Sequence, residues 1–173
     1  IKNYIPHKLS NKVSYLDFDH FINIIEKKES KPFFVEGDVG VGKTTLIKSL
    51  FHQFAKKSAS NIKSRIPFYM DLTNYNMYHN LEDYIVQQVF KKNNIKVKST
   101  ESLEILYNEN RLLFLVDNLD KIDDSDPDYI IDLLKQFKEL SEKGVLLIFT
   151  APKGFFCVEF KNKFYYTKYL KVF

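Results

Sequence analysis

Short, wholly apolar runs alternate along the chain with longer stretches in which apolar residues recur every three or four positions. That alternation predicts an α/β fold around a mostly parallel sheet. The first amphipathic stretch follows Asp17, a side chain suited to an N-cap, and places Phe18, Phe21, Ile22 and Ile25 on one helical face. Residues 32–35 (Pro-Phe-Phe-Val) predict a strand that stops at Gly37. Leu46, Ile47, Leu50, Phe51 and Phe54 predict a helix directly behind a cluster of glycines. Residues 66–70 predict another strand, with Pro67 near its start, where a missing N–H is tolerated. Asn80 and Asp83 have the spacing of a capping box ahead of Leu81, Tyr84, Ile85 and Val89. A shorter helix is expected to carry Leu103, Leu106 and Tyr107.

Residues 112–116 (Leu-Leu-Phe-Leu-Val) and 145–149 (Val-Leu-Leu-Ile-Phe) have no polar alternation at all. Strands of that kind need cover on both faces, as at the centre of a parallel sheet. Between them Asp126 caps a helix that has Pro127 at its first position and Gly144 at its end. Its buried face is expected to be Ile130, Leu133, Leu134 and Phe137. A weaker, more polar strand is expected within 164–170.

Length and composition narrow the class. The 173 residues, without repeat or linker, fit a single domain spanning 1–173. A content of 45% hydrophobic and 28% charged residues is that of a globular chain. No apolar run approaches the roughly 18 residues that cross a bilayer, and the start has no signal-peptide pattern, so no membrane role is expected. The chain opens on Ile1 and is read as part of a longer protein. Cys157 is the sole cysteine, which leaves no internal disulfide or cysteine metal cluster and fits a cytoplasmic setting. His7, His20, His52 and His79 lack zinc-site spacing. The net charge is +4, yet only Arg65 and Arg111 are arginines. Base readout leans on arginine, so the lysine clusters at 56–63 and 91–98 are read as solvated faces and a nucleic-acid partner is not favoured.

One motif changes the picture. Gly37, Asp38, Val39, Gly40, Val41, Gly42, Lys43 and Thr44 satisfy G-x-x-x-x-G-K-[ST] at every fixed position, between a predicted strand and a predicted helix. Glycines let the backbone curl so that N–H groups point at a phosphate. The helix start adds the positive end of its dipole. Lys43 then supplies charge to the β- and γ-phosphates, and Thr44 a hydroxyl to Mg²⁺. The apolar run 112–116 leads into Asp117-Asn118-Leu119-Asp120. Asp117, at the strand end, is the candidate second Mg²⁺ ligand, usually acting through water. Asp120 is the candidate for holding or deprotonating an attacking water. The alternative for Asp117 is a turn-forming aspartate, and for Asp120 a place in the solvated acidic loop of Asp123, Asp124, Asp126 and Asp128.

One predicted strand lies between the phosphate loop and the acidic strand. By analogy with the AAA-like (ASCE) branch of P-loop NTPases, the fold is expected to be a three-layer domain. Its central, mostly parallel sheet would have five strands in the order 5-1-4-3-2.

Taken together these segments resemble a STAND-class P-loop NTPase of the NACHT-like kind, as found in bacterial antiviral proteins. Tyr4-Ile5-Pro6-His7 is similar to the family's N-terminal Tyr-x-Pro-Arg segment, which implies Tyr4 and Ile5 near the base. The loop from Gly37 to Thr45, the Asp117-x-hydrophobic-Asp120 element and Ile148-Phe149-Thr150-Ala151-Pro152 complete the match. The resemblance implies ATP or ADP with Mg²⁺ as cofactors and a slowly hydrolysing, regulatory switch. It further implies downstream helical and winged-helix parts as partners, and self-oligomerisation on activation. The sequence departs from the family at His7, where Arg is usual, and at Lys121, where an acid is common. It also has no Arg after Thr150, a place Lys153 would have to fill. Two other classes stay open: an AAA-type DNA-associated ATPase, for which Arg65 is the candidate finger in trans, and a P-loop small-molecule kinase, for which two arginines are few.

Overall fold

The strand β5 (Leu112–Asp117) is buried at every residue. Its side chains divide by parity between two separate cores. Leu113 and Leu115 join Phe21, Ile25, Leu46, Leu50 and Phe54 on one face. Leu112, Phe114 and Val116 join Phe68, Leu133, Leu134 and Phe137 on the other. A sheet with an apolar core on each side needs helices on each side, and this yields the three-layer α/β/α arrangement. The computed structural model describes residues 9–10, 15–27, 31–78, 80–94, 104–105, 107–122, 127–155 and 168–172.

The remaining elements are β1 (Leu9–Ser10), β2 (Tyr15–Leu16), α1 (Phe18–Glu26), β3 (Phe33–Gly37), α2 (Lys43–Ser60) and β4 (Ile66–Asp71). They continue with α3 (Leu81–Tyr84), α4 (Pro127–Glu142), β6 (Leu146–Pro152) and β7 (Lys168–Val172). Past Tyr84 the helix widens into a π-turn, Ile85–Phe90, and tightens into a 3₁₀ turn, Lys91–Asn93. The sheet order is β2-β1-β7-β3-β6-β5-β4. From β7 to β4 every neighbouring pair is parallel, so the expected 5-1-4-3-2 order stands. The expected strand count does not: β1 and β2 extend the sheet antiparallel beyond β7. Two-residue strands carry no periodicity to read, which is why the pattern missed them.

Asp17 caps α1, accepting from the His20 N–H at 2.7 Å, and Asn80 caps α3, accepting from the Asp83 N–H at 2.8 Å. Pro67 sits on β4, the edge strand, where its missing N–H breaks no central ladder. Phe149 anchors the second core, stacked on Phe34 and edge-on to Phe137, each with centroids 5.0 Å apart. The predicted residues Leu103 and Leu106 and the cap Asp126 lie outside the described residues; Glu104, Ile105, Tyr107 and Asn108 are helical.

Gly144 ends α4 with φ of 93°. Its N–H bonds the Ser141 carbonyl, and the Val145 N–H bonds that of Leu140, the two bonds of a Schellman stop. A Cβ there would lie 2.2 Å from Asn110 Oδ1 and 2.7 Å from the Tyr107 carbonyl oxygen. Gly154 also has positive φ, but a Cβ on it meets open space. Gly144→Ala is therefore expected to lower the urea midpoint clearly more than Gly154→Ala, which should lose only about the 1–2 kcal/mol of left-handed strain. Equal losses would show that the contact with Asn110 is irrelevant.

Arg65 overturns one expectation. It is 3% exposed. Its Nε donates to the Ile25 carbonyl at 3.3 Å, and its Nη1 to those of Asn110 at 3.0 Å and Leu112 at 3.5 Å. Burial lowers its guanidinium to about 10. The residue pins the end of α1 to the start of β5 and is not free to act as a finger in trans. Arg111 precedes β5 and pairs with Glu109 at 3.4 Å. Both arginines thus sit at the N-terminal edge of the parallel strands, opposite the phosphate loop.

Candidate functional site

The loop between β3 and α2 carries the first half of the site. Gly40 and Gly42 hold φ of 85° and 92°, values that side chains rarely adopt. With Gly42 in the left-handed region as N-cap, α2 begins with no side-chain cap and no acidic residue in its first turn. The contrast with α1, capped by Asp17 and followed by Asp19, is direct. Eighteen residues of helix dipole and the first-turn N–H groups of Lys43, Thr44 and Thr45 are left facing the loop, a ready anion site. Lys43 Nζ bridges the loop, donating to the carbonyls of Gly37 at 2.8 Å and Asp38 at 2.9 Å. Val39, at the tip, is 91% exposed.

The second half lies one strand beyond β6. Asp117 is buried at the C-terminal end of β5. Its Oδ1 accepts from Thr150 Oγ1 at 2.5 Å and its Oδ2 from Tyr69 Oη at 3.3 Å. The register explains both contacts. Val116 pairs with Phe149, so the next row sets Asp117 beside Thr150. Tyr69, two residues before the Asp71–Asp117 pair, projects from the same face of β4. Burial, with the charges of Asp117 and Asp71, raises the Tyr69 phenol well above its ordinary value, so it stays a donor. These two hydroxyls fix the Asp117 carboxylate and leave it lone pairs for a metal-bound water.

Asp71 closes the neighbouring strand. Its Oδ1 accepts from the Thr73 N–H at 3.1 Å, Thr73 Oγ1 at 2.6 Å and Asn118 Nδ2 at 2.8 Å. Burial alone would raise its carboxyl; the bonds from Asn118 and Thr73, helped by Lys92, outweigh this and hold it below the usual range. Asn118 adopts φ of 59° and starts the short 3₁₀ turn Leu119–Lys121 that carries Asp120. Asp120 is half-buried and lies 3.5 Å from Lys121 Nζ, the residue where the resembled family often has an acid.

The loop residues 37–45 and Asp117 therefore lie at the same C-terminal edge of the parallel strands, with Asp120 on the turn just after β5. Tyr4, Ile5 and His7 lie outside the described residues, as do Asp123, Asp124 and Asp126. Lys153 is exposed in the turn after β6. Sequence reasoning missed Tyr69, Asp71, Asn118 and Thr150 as site residues. Thr150 had a signal, being the one polar residue closing an apolar strand. Tyr69 had none, because its reach to Asp117 depends on which strands are neighbours.

A Mg²⁺ ion fits this donor set. It commonly takes one or two protein oxygens and fills its octahedron with water and phosphate. Thr44 at the start of α2 and Asp117 are such a pair.

A family model described as NACHT domain matches residues 31–154. No curated protein matches the chain. Among solved structures, the chain is similar to domain III of the replication initiation protein DnaA from Thermotoga maritima. That match has 18% identity and a TM-score of 0.54, over 89% of this chain and 60% of the other. It is also similar to the ORC2 protein of Aeropyrum pernix, with 21% identity and a TM-score of 0.53, over 82% of this chain and 42% of the other. At such identity these likenesses speak for the fold, and the chain spans less than two thirds of either structure.

Proposed function

We infer from the NACHT domain family of P-loop NTPases, to which this chain belongs, that the site binds ATP or ADP with Mg²⁺ and serves as a slowly hydrolysing switch. The observation that carries the reading is the uncapped, acid-free start of α2 behind a glycine loop, aligned across β6 with a buried carboxylate. The β- and γ-phosphates would be held by the loop N–H groups and by Lys43, whose ammonium already spans the loop. Thr44 and Asp117 would hold Mg²⁺, which when bound neutralises phosphate charge. Thr150 and Tyr69 orient the Asp117 carboxylate. Asp120 would orient the attacking water and take its proton. Because Lys121 stands where the resembled family often has an acid, turnover is expected to be slow, which suits a switch.

The resemblance extends the proposal to a cytoplasmic signalling protein in antiviral defence. Nucleotide would control closure by downstream parts and self-assembly. Among the described residues, no helix is long and apolar enough to cross a membrane. Calorimetric titration with Mg-ATP tests the central claim, and its failure in the folded chain would remove it. Adenine is the expected base, so GTP should compete at least about tenfold more weakly than ATP; equal competition would withdraw that preference.

The DNA-associated AAA reading is not carried by the likeness to DnaA and ORC2, which speaks for the fold alone, and its candidate finger Arg65 is buried. The kinase reading needs arginines around the transferred phosphoryl, and both arginines lie at the far edge of the sheet. Salt-dependent DNA binding by the chain would revive the first of these.

A further inference from the structure

A cavity opens on the α2 side of the sheet, one strand outward from Asp117. It is about 380 Å³, and is lined by Lys48, Phe51 and His52 of α2, Tyr69 of β4, and Gln88 and Lys92 from the turns after α3. Lys48 and His52 are four residues apart and share one helical face. Both are exposed, as is Lys92. Among the described residues, no carboxylate lines the cavity and none of these three side chains is within ion-pair distance of one, although Lys92 acts on the nearby Asp71 carboxyl. Phe51 and Tyr69 add flat apolar wall, with Phe51 edge-on to the His52 ring at 5.9 Å. None of the phosphate-loop residues 37–44 contributes.

We propose that this cavity is a second ligand site, separate from the phosphate loop, which takes a small phosphomonoester carrying a flat ring, such as a nucleoside monophosphate. Lys48 and Lys92 supply positive charge for the phosphate, His52 a ring nitrogen, and Phe51 and Tyr69 a face for the ring. The volume is within the range of small-molecule sites, and two lysines in a lining without a carboxylate of its own favour an anion. The Tyr69 phenol that forms part of the wall also donates to Asp117. A bound ligand would therefore rest against a group that positions the acidic strand end, which gives it a route to influence the nucleotide site.

The test uses AMP and inorganic phosphate as probes, in calorimetry of the 173-residue chain carrying Lys43→Ala, so that the phosphate loop contributes little. One AMP site should remain. Its affinity should fall at least tenfold when Lys48→Gln and Lys92→Gln are added, substitutions at exposed positions that keep helix propensity. Raising salt from about 0.05 M to about 0.5 M should weaken AMP binding in the Lys43→Ala chain without touching the cavity, since partly exposed charges are screened. No AMP site in the Lys43→Ala chain, or one indifferent to both the double substitution and salt, overturns the proposal. Inorganic phosphate binding as tightly as AMP would overturn the ring contact. Loss of Mg-ATP binding in the parental chain would count against the switch reading alone, because the AMP readout is independent of it.

Discussion

Lys43→Ala is expected to lower Mg-nucleotide affinity by about 10²–10⁴-fold while the thermal midpoint stays nearly unchanged. On the proposed reading the side chain would contribute charge-assisted hydrogen bonds to two phosphate groups, each worth about 1.5–3 kcal/mol, and every 1.4 kcal/mol is tenfold in affinity. Its bonds in the structure are to two carbonyls of its own half-exposed loop, Gly37 and Asp38. Water can replace the ammonium there, so the fold should lose little. Calorimetry on the variant, with circular dichroism to confirm folding, decides the matter. Unchanged ATP affinity in a folded Lys43→Ala chain would sink the assignment. A collapse of the thermal midpoint would show instead that Lys43 holds the loop in shape.

Asp117→Asn and Asp120→Asn are expected to separate metal retention from turnover. Asp117 is 3% exposed and accepts from both Thr150 and Tyr69. The amide keeps the shape and can still accept from Thr150, so the variant should fold. It removes the charge a divalent cation needs, and Mg-dependent ATP affinity should drop about tenfold or more. Asp120 stands further along the chain on the 3₁₀ turn and is part-exposed, 3.5 Å from Lys121. A pair whose lysine is open to solvent is worth little to stability, so Asp120→Asn should leave the midpoint and ATP binding nearly intact. Turnover should fall about 10²–10⁴-fold, the usual contribution of a positioned general base. The comparison needs a form of the protein with measurable hydrolysis. If Asp120→Asn hydrolyses at the parental rate there, Asp120 merely shapes the loop.

The sequence by itself determined the local halves of the site and the class of the fold. A phosphate loop is read from contiguous residues because its function is contiguous: glycines, lysine and threonine act within one turn of backbone. The runs 112–116 and 145–149, which fall almost wholly within β5 and β6, were legible because a strand covered on both faces has few polar positions to spare. Caps such as Asp17 and Asn80 bond the N–H three residues on, so they too could be read in place.

What only the tertiary structure decided are the contacts between segments distant in sequence. Thr150 meets Asp117 across 33 positions, Tyr69 meets it across 48 and Asn118 meets Asp71 across 47. Each follows from the register of parallel neighbours, which no periodicity encodes, because a parallel pairing leaves the face pattern of either strand unchanged. Arg65 is the sharpest case. An arginine just before an edge strand looks solvent-facing in sequence, yet three backbone carbonyls from Ile25, Asn110 and Leu112 converge on it and make burial tolerable. Side chains buried by satisfied hydrogen bonds are written in the packing of several segments at once, and that information exists only after the sheet has closed.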